Sequence, residues 1–180
     1  SFLKEVPFEI ETYYEPFVGG GSILYGVLSK NLCQRVVASD LSTPLIDLWN
    51  TIKTYPDIIL SSYIENWNRL QSEGHSVYYE IRERFNRDRS PYDFFFLNRT
   101  CFNGLIRFTK DGNFNTSFHL NRKGIDPERL NDILKEWTNL FRNKTILFKN
   151  CDYMEALSSI TEKDFVYMDP PYAHTKGMYQ

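Results

Sequence analysis

Thr12-Tyr13-Tyr14-Glu15-Pro16-Phe17-Val18-Gly19-Gly20-Gly21-Ser22-Ile23-Leu24 is the stretch on which the fold turns. Thr12 to Phe17 is aromatic-rich and reads as a short strand. It runs into a glycine turn, after which Ser22 opens a helical segment through about Ser29. Glycine has no Cβ and tolerates positive φ, so such a turn lets a ligand approach the backbone closely. Arg35-Val36-Val37-Ala38-Ser39-Asp40 follows as a second short strand ending in an acid, and Ser42 with Pro44 just inside predicts a helix through about Lys53. The two strand ends are expected to face one edge.

Working outward, helical patterns cover about 57–72, 76–87 and 92–102. Ile106 to Thr109, an Asp111-Gly112 turn and Asn113 to Asn115 then predict a β-hairpin at about 106–118. Asp126-Pro127 starts a helix with Leu130, Ile133, Leu134, Trp137, Leu140 and Phe141 along one face. Strand-like runs at 145–149 and 165–168 are separated by a short helix at about 154–160. Strands alternating with helices predict an α/β fold with an open parallel sheet, in which ligands sit at the carboxyl ends of the strands. Residues 56–123 break that rhythm with helices and a hairpin, which marks them as an insertion.

The chain of 180 residues is 42% apolar and 24% charged, which excludes a disordered or collagen-like polymer. Its three cysteines form neither a disulfide framework nor a CxxC pair, and no charged-then-apolar leader precedes them. They predict a reducing, cytoplasmic setting. No apolar run approaches the roughly 20 residues that span a bilayer, so no membrane association is expected. The net charge of −2 conceals an uneven arrangement. Residues 1–81 hold 5 Lys/Arg against 10 Asp/Glu, residues 82–123 hold 9 against 4, and residues 124–180 hold 7 against 9. A basic segment interleaved with aromatics suits contact with nucleic-acid phosphates, although an arginine-rich solvated helix face gives the same count.

Three glycines after a strand are shared by nucleotide, flavin and nicotinamide folds, and by tight turns without a ligand. Here the GxGxxG spacing and the GK[ST] of a P-loop are both missing, which disfavours pyrophosphate. Asp40, at the end of the second strand, can accept hydrogen bonds from two ribose hydroxyls, which favours an adenosine-type cofactor. Asp169-Pro170-Pro171-Tyr172, directly after the apolar run Phe165 to Met168, is more informative. Two prolines stiffen the turn and hold two acceptors, the Asp169 carboxylate and the Pro170 carbonyl. Gripping the two N–H groups of an exocyclic amine frees its lone pair for attack. Tyr172 can stack on the base that carries the amine, an interaction worth about 1–3 kcal/mol.

Glu15-Pro16-Phe17-x-Gly19-Gly20-Gly21, then Asn98-Arg99-x-x-Phe102-Asn103-Gly104-Leu105-x-Arg107, Phe114-Asn115 and Asp169-Pro170-Pro171-Tyr172 together resemble a Dam-type DNA adenine-N6 methyltransferase of the D12 class, in the same order. The resemblance implies a Rossmann-like methyltransferase sheet with an inserted, mainly helical DNA-recognition domain containing a β-hairpin. It implies S-adenosyl-L-methionine as cofactor and duplex DNA as partner. By this resemblance Glu15, Pro16, Phe17, Gly19 and Gly21 surround the methionine part and Asp40 the ribose. Asp152 and Tyr153 face the cofactor's adenine, and Asp169, Pro170 and Tyr172 hold a flipped target adenine. Phe102 wedges into the base stack and Asn103 contacts DNA there, while Leu105 and Arg107 touch base edges; Arg99, Lys110 and Arg122 complete the basic set. Independently, a base must leave the duplex to reach a methyl donor, an apolar wedge offsets lost stacking, and arginine reads guanine. The competing assignment puts Phe102 and Leu105 in the core of the small domain, with Arg107 a surface charge.

Residues 1–55 and 124–180 are accordingly expected to form the catalytic domain and 56–123 the recognition domain, in a monomer with no metal. Three departures stand out. No Lys-Trp-x-Gly-Gly-Lys motif lies in Ser1 to Glu11, and the chain stops eight residues after Tyr172, so a fragment is expected. Asn115-Thr116-Ser117-Phe118-His119-Leu120 also departs from the Asn-x-Pro-Phe-Gly-Arg of enzymes reading GATC, which points to a different recognition sequence. Cytosine N4, an RNA adenine and a glutamine amide are other amino acceptors that suit an acid or amide before Pro-Pro-Tyr; a DNA-binding chain without activity is the rival from another class. Asp at 169, and the 147 residues separating it from Gly21, favour adenine in DNA.

Overall fold

The computed structural model describes residues 10–121 and 123–170, so Arg122 and Tyr172 lie outside the described residues. In chain order its elements are β1 (Thr12–Glu15), α1 (Ser22–Ser29), β2 (Arg35–Asp40), α2 (Thr43–Thr54), α3 (Pro56–Glu73), α4 (Ser76–Asp88) and α5 (Pro91–Thr100). A 3-10 turn (Phe102–Gly104), α6 (Pro127–Phe141), β3 (Thr145–Asn150), α7 (Tyr153–Ala156) and β4 (Phe165–Val166) follow. The mixed α/β architecture matches the Rossmann-like expectation. Within the described residues, 10–53 and 135–170 form one compact unit, and 54–121 with 123–134 another.

The first unit is a parallel sheet in the order β3-β2-β1-β4. Tyr13 lies opposite Val36 of β2 and Phe165 of β4, and Val36 lies opposite Ile146 of β3. Successive strand residues point to opposite faces, so burial of all four residues of β1 means that both faces are covered there, as parallel sheets require. Among the described residues β3 ends the sheet, and one of its faces is covered: Ile146 and Phe148 are buried while Leu147 between them is exposed. Leu24, Val27 and Leu28 form the buried stripe of α1 at helical spacing. Trp49 of α2 stacks on Phe148 with ring centroids 5.3 Å apart and meets Trp137 edge-on at 4.8 Å. Pro127 at the first turn and Asp126, whose Oδ1 accepts from the Glu128 and Arg129 N–H groups at 2.9 and 3.2 Å, start α6.

The second unit is held by an aromatic core that includes Tyr63, Tyr78, Phe85, Phe94, Phe95, Phe96 and Phe114, all essentially inaccessible to solvent. The segment expected to be a β-hairpin is braced on it by isolated bridges, Phe108 with Phe114 and Cys101 with Phe118. Its loop is one residue longer than a two-residue Asp-Gly turn. Thr109 N–H bonds the Asn113 carbonyl at 2.8 Å and Gly112 N–H the Thr109 carbonyl at 2.9 Å, with Gly112 at φ 76°. This is the three-residue connection in which glycine takes the left-handed position. The Asn86 amide holds the second arm as a strand would, donating to the Phe114 carbonyl and accepting its N–H at 3.1 and 2.7 Å.

α5 stops at Thr100 rather than Phe102, because Cys101 turns to extended backbone to pair with Phe118. α7 is a single turn, shorter than the helix expected at 154–160. In α4 and α5, Arg84 grips Asp93 with two bonds of 2.8 and 2.6 Å, and Asp93 is 3% exposed. The arginine side is partly exposed, which softens the cost of breaking the pair. Asp93→Asn is expected to lower the unfolding free energy by about 1–2 kcal/mol, and Asp88→Asn, whose pair with Arg87 is exposed, to leave it unchanged within error; urea unfolding of both variants checks this.

Candidate active site and nucleic-acid interface

β1 ends in Glu15, a carboxylate only 3% exposed. The Tyr13 hydroxyl donates to its Oε2 at 2.8 Å, and the Leu24 N–H also donates to it. Leu24 is the third residue of α1, whose N-cap Gly21 supplies no capping side chain. Glu15 therefore caps α1 from the sheet, where a negative charge meets the free N–H groups of a helix N-terminus. Burial nevertheless dominates and, with repulsion from Asp169, pushes the Glu15 carboxyl up to about 7. That repulsion follows from the sheet register: Tyr14 pairs with Val166, and the Tyr167 N–H bonds the Tyr14 carbonyl at 2.9 Å. Asp169 and Pro170 thus leave β4 next to the end of β1, and both are exposed.

The glycine turn is tied to β2 and α2. Val18 N–H bonds the Ser39 carbonyl at 3.0 Å, and the Trp49 indole N–H bonds the Gly19 carbonyl at 3.0 Å. Asp40 divides its carboxylate: Oδ2 accepts from Gly19 N–H at 3.2 Å and Oδ1 from Ser42 N–H at 2.9 Å. Each carboxylate oxygen has two lone pairs, so both retain capacity for a further donor such as a hydroxyl. Gly21 has φ 73°, and a Cβ there would lie 2.6 Å from the Trp49 ring. At Gly20 a Cβ would meet nothing within 4 Å, so that backbone lies open. Beyond β3, the ring of Tyr153 stacks on Phe17 at 6.0 Å, and Asp152 caps α7 by accepting the Glu155 N–H at 2.9 Å.

The residues expected around a cofactor therefore meet along the carboxyl edge of the sheet, Glu15 to Gly21 between Asp40 and Asp169, with Asp152 and Tyr153 beyond β3. An open glycine backbone, a hydroxyl-accepting acid and a half-exposed aromatic pair form a donor and acceptor set that fits an adenosyl group carrying a charged amino-acid tail. Trp49 and Tyr13 carry no signal of their own in the sequence, because an aromatic inside a helix or strand looks like any core residue.

In the second unit, Asn103 (φ 54°) and Gly104 (φ 67°) are consecutive left-handed residues. Asn and Gly are the types that tolerate this conformation, so the Asn-Gly pair has a structural cause beside any contact it makes. The turn presents Phe102, which is 48% exposed and stacked on His119. Leu105 is half-buried, and its carbonyl accepts the Thr116 hydroxyl at 2.7 Å. Arg107 and Lys110 are exposed, and Arg99 lies over the Phe95 ring at 5.3 Å. Much of the basic count serves the fold instead: Arg84 and Arg87 pair with aspartates, Arg89 donates to the Gly112 carbonyl at 2.7 Å, and Arg82 covers the Tyr79 ring.

The family of D12 class N6 adenine-specific DNA methyltransferases matches residues 1–180. The chain belongs to that family. It is 34% identical over 177 residues to the type II methyltransferase M.MjaIII of Methanocaldococcus jannaschii, covering 91% of this chain and 59% of that protein. It is 32% identical over 171 residues to the DNA adenine methylase of Escherichia coli K12, covering 91% and 56%, and 30% identical over 169 residues to that of Vibrio cholerae, covering 92% and 57%. The D12 chain thus spans a little over half the length of these relatives. Among its described residues no helix is long and apolar enough to cross a membrane.

Two outcomes follow for this D12 site. Gly21→Ala is expected to destabilise by about 2 kcal/mol or more through a strained φ and the Trp49 clash, while Gly20→Ala stays within about 0.5 kcal/mol; denaturant unfolding checks both. The folded chain keeps a proton on Glu15 that the unfolded chain has released between pH 4.5 and about 7. Stability of the parent relative to Glu15→Gln should therefore fall as pH rises through that window and level off above it. Melting temperatures of the two proteins against pH measure this, and a difference rising with pH would contradict it.

Proposed function

We propose that the protein methylates the N6 amino group of an adenine flipped out of duplex DNA, at a specific sequence, with S-adenosyl-L-methionine as donor. The setting is a restriction-modification system or a phage or orphan equivalent. The observation that carries this is the adjacency of the glycine turn after β1 and Asp169-Pro170 after β4, on one edge of a parallel sheet. Open α/β sheets bind ligands where the chain leaves a central strand in opposite directions, and the gap between β1 and β4 is that point.

In this proposal the turn from Glu15 to Gly21 holds the methionine part of the cofactor, with Gly20 as the backbone of closest approach. Asp40 accepts the ribose hydroxyls through its remaining lone pairs, and Asp152 and Tyr153 face the adenine ring. When bound, the cofactor supplies an electrophilic methyl group on a sulfonium. Asp169 and the Pro170 carbonyl accept the two N–H groups of the target amine, so its lone pair turns toward the methyl carbon, and Tyr172 stacks on the base. Direct displacement would need no covalent enzyme intermediate: the N–C bond would form as the sulfonium S–C bond breaks, a neutral thioether would leave, and the surplus amine proton would pass to water.

We assign 1–55 and 124–180 to the catalytic domain and 56–123 to target recognition, in a protein acting as a monomer. Phe102 enters the stack, Asn103 contacts the DNA there, Leu105 and Arg107 touch base edges, and Arg99, Lys110 and Arg122 complete the DNA-binding set. Asp169→Ala is expected to reduce methyl transfer to duplex DNA by on the order of a hundredfold or more. Nucleoside analysis of the parent's product should yield N6-methyladenosine as its deoxynucleoside. N4-methylcytosine instead, or an Asp169→Ala protein as fast as the parent, would overturn the proposal.

A further inference from the structure

We infer that His119 is a positioning residue for the base-displacing ring of Phe102, an inference that rests on the wedge role proposed above. The two rings lie 5.3 Å apart at 23°, a stacked pair on the surface of the second unit. Their register is fixed by backbone: Phe102 N–H bonds the Ser117 carbonyl at 2.8 Å and His119 N–H the Thr100 carbonyl at 3.2 Å, on either side of the Cys101–Phe118 bridge. Phe102 and His119 are therefore diagonal neighbours across a two-strand pair, within reach for aromatic rings. The bridge is anchored below by Tyr78, which tilts against Phe118 at 5.4 Å and donates its hydroxyl to the Thr116 carbonyl at 2.8 Å.

A ring that enters a base stack from the tip of a turn must be held at one angle; otherwise the entropy lost in ordering its rotamers offsets part of the stacking energy. The turn backbone does not supply that hold, since Asn103 and Gly104 are exposed and carry no bulk behind Phe102. His119 supplies a flat surface against one face of Phe102 and leaves the ring 48% exposed for a base. The Nδ1 atom of His119 is buried with no hydrogen-bond partner among the described residues. No described residue holds its Nδ1, and the contact the ring makes is the stack on Phe102. His119 falls where Asn115-Thr116-Ser117-Phe118-His119-Leu120 leaves the Asn-x-Pro-Phe-Gly-Arg pattern, a position at which glycine would offer no ring.

The test measures single-turnover methylation of two duplexes, one with the target adenine paired and one with it opposite an abasic site, where displacement needs little unstacking. His119→Ala is expected to slow the paired substrate by roughly three- to tenfold, the range of an aromatic pair, and to leave the abasic substrate at the parent's rate. His119→Phe, which keeps a ring and removes the orphan nitrogen, should retain the parent's rate on both. Added to Phe102→Ala, the His119→Ala change should cost nothing further. An effective Phe102→Ala beside a silent His119→Ala overturns the inference alone, as does equal slowing on both duplexes. A silent Phe102→Ala on paired DNA removes the wedge and its support together.

Discussion

Parallel pairing is the constraint on which the rest of the structure depends. Parallel strands need a crossover between them, so every carboxyl end emerges along one edge, and the loops that follow are gathered there whatever their distance in sequence. β1 is paired on both sides, with β2 and β4, and the loops after these three strands hold Glu15 to Gly21, Asp40 and Asp169. Glu15 makes that edge rigid from inside. Its buried carboxylate is held by Tyr13 and in turn holds the Leu24 N–H, so strand, turn and helix form one hydrogen-bonded corner. Asp40 does the same on the next strand, fastening Gly19 to the start of α2. Both acids thus set the shape of the turn as well as its charge.

The second unit solves a different problem, the presentation of an irregular loop. Residues 101–118 make only isolated bridges, and side chains of α4 (Asn86, Tyr78 and Arg82), with Arg89 just after it, add bonds to those the segment's backbone makes with itself. Unpaired backbone groups are costly when buried, and these side chains supplement a ladder that the loop forms only in part. The aromatic core supplies the platform, and the polar bonds fix which residues reach its surface.

Much of this was legible in the sequence for definite reasons. β1, α1, β2 and α6 carry strong signals: an aromatic run into glycines for the first two, a short apolar run ending in Asp40, and apolar residues at helical spacing after Asp126-Pro127. The ends of α5 and α7 were not legible, because Cys101 leaves its helix for a partner 17 residues away and Asp152 caps only a single turn. Charge counting gave the basic insert but not its use, since Arg84 and Arg87 look like Arg107 until their aspartate partners are seen. The Asn103-Gly104 pair is called for by a left-handed turn, a cause the motif did not reveal beside the DNA contact proposed for it. Tyr13, Trp49 and His119 act through neighbours that only folding brings near.

The central claim is that the gap between β1 and β4 receives donor and acceptor together. The most direct measurement is a structure of the protein with S-adenosylhomocysteine and a duplex containing its recognition sequence. The account predicts the ligand's amino-acid tail against the Gly20 backbone, and the extrahelical adenine's amino nitrogen within hydrogen-bond distance of the Asp169 carboxylate and the Pro170 carbonyl. A ligand bound away from the carboxyl edge of β1, or a target adenine held elsewhere with Asp169 uncontacted, would contradict it.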